Sequence, residues 1–201
     1  MPLQNRVLAT GEIVADPARG LFMGNRGILH DAAQRLGRAR WKHKAWVTCV
    51  LKHRDWHRNV MSPGAYTELF FLDEAVALSA GHRPCALCRH RDYVDYRVAA
   101  GLTGASKDMD AKMQAERGEP RTFRQRRHQT DASALPNGAI IFDGTAKLIW
   151  GDQARPVFAE GYGTPEPRPK GKITVLTPPT SIKALSNGYR PALHGSAKIK
   201  A

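Results

Sequence analysis

The clearest hydrophobic and polar patterning lies in residues 66–91, YTELFFLDEAVALSAGHRPCALCRHR. It predicts a strand over 67–72, then a short helix capped by Asp73 and stopped by Gly81, then a tight turn through Arg83-Pro84-Cys85. Upstream, the apolar run at 46–52 predicts a strand carrying Cys49, which leaves through a Pro63-Gly64 turn. RVLATGEIVA (residues 6–15) reads as a strand pair. Gly24, Asn25, Arg26 and Gly27 form a turn with exposed backbone amides that suits a phosphate, or simply a connection between strands. Asp31 reads as the cap of a short helix to about Leu36. Beyond the turn, 90–100 predicts a helix ending at Gly101, and Ser106 caps a second one that stops at Gly118. Residues 119–137 are polar and lack periodicity. From Gly138 the pattern changes to short strands, with Asp143-Gly144 as a hairpin signal.

These elements specify an α+β protein: small antiparallel strands and short helices in a basic region over 1–118, a basic linker over 119–137, and a β-rich region over 138–201 packing on the first. The chain also echoes itself. ALSNGYRPALH (184–194) repeats ALSAGHRPCALC (77–88) with its cysteines lost and His194 near the second of those positions.

The charge balance adds a partner to this picture. The 201 residues carry 31 Lys+Arg against 18 Asp+Glu, a net charge of +13. A surplus of that size favours a polyanion, and nucleic acid is the first expectation. No apolar run is long enough for a membrane span, and neither a secretory leader nor a lipidation motif is seen, so the expected location is cytoplasmic and no membrane partner is expected. Arg38, Arg40, Lys42 and Lys44 are interleaved with Trp41 and Trp46, a mixture in which cations neutralise phosphates and indoles stack on bases. Trp46 itself reads as core. Arg26, Arg83, Arg89 and Arg91, and the arm with Arg124, Arg126 and Arg127, complete the candidate phosphate contacts.

Three cysteines, with one pair at Cys-x-x-Cys spacing, fit a metal better than a disulfide framework. Cys85 and Cys88 can both face one ion, since the turn between them brings two sulfurs to the same side. Cys49 is the third thiol. For the fourth position His53, four residues on, is preferred over His43, His30 and His194.

The strand, the helix ending in Ala80-Gly81, and the following His82-Arg83-Pro84-Cys85-x-x-Cys88-Arg89 resemble the C-terminal half of the Ada-type zinc-binding module of bacterial alkylation-repair proteins. A similar knuckle is appended to some bacterial nucleases, and the whole chain resembles a bacterial protein family carrying such a segment. The match covers about a quarter of the chain. It implies zinc as cofactor and DNA repair or processing as the setting. In the Ada-type site an upstream Cys-x-x-x-Cys completes four thiolates, and the first of them takes a methyl group from a DNA phosphotriester. By position that residue is Cys49, while the second is replaced by His53. A Cys₃His site has one negative charge fewer and a less nucleophilic thiolate, so a structural zinc is expected and a methyl-accepting Cys49 is the alternative.

Three functions follow. The first is a zinc-containing nucleic-acid-binding protein. A second is a metal-dependent nuclease or repair enzyme, for which His30, Asp55 and His57 supply an imidazole base and ion-holding groups. The third is a non-catalytic protein associated with RNA in an assembly. The sequence has no nucleotide-phosphate loop, nucleophile elbow or dinucleotide fingerprint.

Overall fold

The computed structural model describes residues 1–56 and 59–199. Their elements are β1 (Gln4–Val7), β2 (Ile13–Ala15), β3 (Phe22–Asn25), β4 (Val47–Val50), β5 (Leu69–Phe71), α1 (Glu74–Ser79), β6 (Arg83–Pro84), α2 (His90–Ala100) and α3 (Ser106–Arg117). They continue with β7 (His128–Asp131), β8 (Ile140–Phe142), β9 (Ala146–Trp150), β10 (Gln153–Pro156), β11 (Glu166–Pro167), β12 (Lys172–Val175) and α4 (Pro179–Ser186). The fold is α+β, with the strands in two sheets ordered β2-β1-β5-β3-β4-β6 and β11-β10-β9-β8-β12-β7. The second sheet is antiparallel throughout, whereas β1 pairs with β5, and β4 with β6, in parallel.

The sheets share one core. Val7, Leu69 and Phe71 from the first and Ile140, Ala146 and Leu148 from the second pack around α1, every residue of which is buried. Beside it, Tyr93 and Tyr96 of α2, Met109 and Met113 of α3, and Ala184 and Leu185 of α4 close over Ile141 and Ile149. Burying these faces against one another is the main source of stability, because a sheet or short helix has no other way to remove its apolar side from water.

The internal echo is three-dimensional. In both copies a hairpin strand pairs antiparallel with the strand that leads into the helix: β3 with β5 before α1, and β8 with β12 before α4. Both helices then end identically. His82 N–H reaches Ala77 O and Gly81 N–H reaches Leu78 O; Tyr189 N–H reaches Ala184 O and Gly188 N–H reaches Leu185 O. This pair of bonds satisfies the last carbonyls of a helix and requires a left-handed residue, supplied by Gly81 (φ +86) and Gly188 (φ +93).

Two local expectations are corrected. Residues 31–36 form no helix, because Asp31 accepts from the N–H of Ala33 and Arg35 as a local turn, Gln34 lies at φ +60, and His30 and Leu36 pair in an antiparallel bridge. Residues 119–137 include β7, an edge strand whose partner is β12. No described helix is long and apolar enough to cross a membrane.

Candidate metal centre

β4 and β6 run parallel with Val47 opposite Arg83 and Thr48 opposite Pro84. The next residue of each strand is a cysteine, and Cys85 N–H extends the pairing to Thr48 O at 2.9 Å. Cys49 and Cys85 are therefore brought side by side by register, although 36 positions separate them. The chain turns through Ala86 and Leu87, both exposed, and enters α2 with Arg89 N–H bonded to Cys85 O at 3.1 Å. That turn returns Cys88 to the same place. The sulfurs of Cys49, Cys85 and Cys88 all lie within 4.8 Å of one another, and all three residues are half-buried. A tetrahedral ion about 2.3 Å from each sulfur holds them about 3.8 Å apart, so this cluster can hold a metal ion.

The electrostatics of the cluster agree. Leu87 N–H points at Cys85 Sγ at 3.4 Å. The Cys85 thiol is held well below its ordinary range by hydrogen bonds from the Cys49 and Cys88 thiols and from the backbone N–H groups of Cys88 and Leu87. The Cys49 thiol is pushed far up by its bonds to the other two sulfurs and by burial. Without a cation only one of three adjacent sulfurs carries charge comfortably; a divalent ion removes the conflict by replacing protons with a shared positive centre.

His53 is not a member of the mutual sulfur cluster. Its Nε2 is nonetheless buried with no hydrogen-bond partner, and it is the only described histidine with such a nitrogen. The other three imidazoles considered are occupied. His30 is buried, with Nδ1 on Thr67 Oγ1 and Nε2 on Ser62 O. His43 Nε2 bonds Asn25 Oδ1. His194 Nδ1 bonds Ser196 Oγ, and its N–H donates to Asp73, at the opposite end of α1 from the turn leading to the cysteines.

His82 lies inside the molecule. Arg26 Nε donates to its Nε2 at 2.8 Å, which makes Nδ1 the donor to Val47 O at 3.0 Å. Burial and the adjacent Arg26 charge hold it neutral, its pKa well below the ordinary value. It thus braces β4 just before Cys49.

The basic residues divide sharply. Arg38, Lys42, Lys44, Arg91, Arg124, Arg126 and Arg127 are exposed and Arg40 is half-buried. Arg26, Arg83 and Arg89 are buried, which corrects their assignment as phosphate contacts from the surface. Arg83 grips Asp110 with both arms at 2.7 and 2.8 Å. Arg89 joins Glu74 and Asp92, each at 2.8 Å. Arg26 is bonded to His82 and Ala80 O. Trp46 is core, as expected, but its ring is clasped by two guanidiniums: Arg26 at 4.1 Å and Arg117 at 4.3 Å from the centroid. Arg117 itself, bonded to Gly81 O and Lys44 O, gave no sequence signal beyond its place in the last turn of a helix. Asp55 is exposed, and His57 lies outside the described residues.

Comparison with known proteins returned no matching family model, no matching curated protein and no matching solved structure.

Proposed function

We propose that this protein binds nucleic acid through its exposed basic surface and uses one structural zinc, held by Cys49, Cys85, Cys88 and His53, to lock the end of β4 to the turn entering α2. The observation that carries the reading is the convergence of three thiols from two distant segments. Three sulfurs and an imidazole are a donor set that suits zinc, and the orphaned Nε2 of His53 is the candidate for the fourth group. The same set supports the Ada-type resemblance and its link to DNA repair or processing. The histidine in place of a fourth thiolate favours a structural over a methyl-accepting ion. The net charge of +13 and the exposed Arg38, Lys42, Lys44, Arg91, Arg124, Arg126 and Arg127 support the polyanion partner. A nuclease reading has less support, since both ring nitrogens of His30 are engaged inside the fold.

The test combines elemental analysis of tag-free protein with oligonucleotide binding at several salt concentrations. About one zinc per chain is expected, lost in Cys49→Ser and Cys85→Ser and weakened in His53→Ala. Affinity for nucleic acid should fall steeply as salt rises. Wild-type protein without metal, or binding indifferent to salt, would refute the respective half of the proposal.

A further inference from the structure

A cleft of about 540 Å³ opens beside Trp46. Its floor includes Arg26, which is buried and forms no ion pair with any carboxylate among the described residues. Arg117, which also lies against the Trp46 ring, likewise makes no such pair. Burial and the nearby Arg117 and Arg40 hold the Arg26 pKa down to about 9. An uncompensated buried guanidinium is costly, and a bound anion offsets that cost.

The walls are aromatic. Trp41 meets Trp46 at 5.2 Å and Phe123 edge-on at 4.9 Å. Phe123 is held there by a segment in which it and Arg121 both adopt left-handed backbone conformations, φ +58 and +70. Non-glycine residues persist in that region only where the surroundings enforce it, and such strain gathers at binding sites. The rim carries Arg40, Arg124 and Arg127, against which Glu12 and Glu119 are the acidic lining residues, so positive charge is in excess. Gln125 also lines the cleft and has a buried Oε1 with no partner. Cations beside aromatic rings match two parts of a nucleotide, the phosphate and the base face.

We propose that this cleft receives one unpaired nucleotide of a single strand, its phosphate contacted by the exposed Arg124 and Arg127, with the buried Arg26 adding positive charge, and its base laid against Trp41 and Phe123. The inference rests on the nucleic-acid reading above and adds to it a class of substrate: a strand with at least one exposed base, since a paired and stacked base cannot enter.

The experiment follows the indole N–H resonances of the full chain by NMR, with Trp41→Phe assigning the Trp41 signal. Thymidine 5′-monophosphate should shift that signal, and thymidine should bind at least about tenfold more weakly. Arg124→Gln/Arg127→Gln, which changes exposed side chains only, should weaken the monophosphate by about tenfold and abolish any preference for single-stranded oligothymidylate over its duplex. Equal binding of nucleoside and nucleotide, an unchanged affinity in the double variant, or a preference for duplex overturns the cleft assignment. If oligonucleotides still bind the double variant with wild-type affinity, only the cleft fails. If no oligonucleotide binds the wild type, the parent reading falls and takes this one with it.

Discussion

Asp73 shows how many roles one side chain can combine. It caps α1 by accepting from Val76 N–H at 3.0 Å, and it also takes Tyr162 OH at 2.6 Å and His194 N–H at 3.0 Å. Its neighbour Glu74 accepts from Arg89, Tyr189 OH and Ala192 N–H. Both carboxyls are fully buried, and burial raises both pKa values above the ordinary range despite these donors. For a raised acid the folded state holds more protons than the unfolded one between the two pKa values. Its contribution to stability is therefore present at low pH and falls as pH rises from the unfolded value towards the folded one. Asp73→Asn, which keeps a capping oxygen but has no proton to lose, should be more destabilising relative to wild type at about pH 4 than at about pH 7. Urea unfolding of both proteins at the two pH values measures this. The exposed Asp31 and Asp131, whose pKa values are lowered, act in the opposite sense but cancel in the comparison. A gap that widens with pH would mean that the hydrogen bonds to Asp73 outweigh its burial. The cap was legible in the sequence, because it acts within one helical turn; the bonds to Tyr162 and His194 were not, because they span 89 and 121 positions.

At the scale of elements, the two copies of strand, helix and glycine turn offer a natural comparison. A side chain at Gly188 meets nothing within 4 Å, whereas one at Gly81 would lie 2.6 Å from Arg117 Cδ. Gly188→Ala should cost about 1 to 2 kcal/mol from the left-handed backbone alone. Gly81→Ala should cost at least about 1 kcal/mol more, since it also displaces a buried guanidinium from Gly81 O and Lys44 O. Chemical denaturation separates the two, and equal costs would show that Arg117 gives way freely. The copies diverge around their shared Arg-Pro. The first runs along β4 and delivers two cysteines; the second docks Tyr189 and Ala192 onto the start of α1. Sequence pattern located most of these elements, including the hairpin at Asp143-Gly144, and it placed α2 over 90–100 with Gly101 as its left-handed stop. It erred where a capping residue had another use. Ser106 does not cap α3, whose N-cap is Ala105; its hydroxyl instead meets Tyr93 OH.

For the whole molecule, the three-cysteine cluster lies where β4 meets the β6–α2 turn at one edge of the first sheet, while the second sheet and α1 are held by the common core. With the proposed ion in that cluster, chelation should raise hydrogen exchange at 47–50 and 83–93 and leave 140–156 protected, a pattern read directly by mass spectrometry. Uniform loss of protection would show that the ion supports the entire fold.

What the sequence determined by itself was everything set by neighbours a few residues apart: the strand-helix-turn unit and its echo, the glycine stops, the paired cysteines of the knuckle, the hairpin, and a total charge of +13. Which groups meet is set instead by the packing of distant segments. Cys49 joins the knuckle through the register of β4 against β6. Arg26, Arg83 and Arg89 are withdrawn from the surface by partners 56, 27 and 15 positions away. Trp41 and Phe123 meet edge-on and line a cleft that no local pattern announces. The physical reason is that helix stops and turns are satisfied by hydrogen bonds within about five residues, whereas burial and charge pairing depend on contacts between distant segments, and an arginine has the same local signature whether it ends in solvent or in the core.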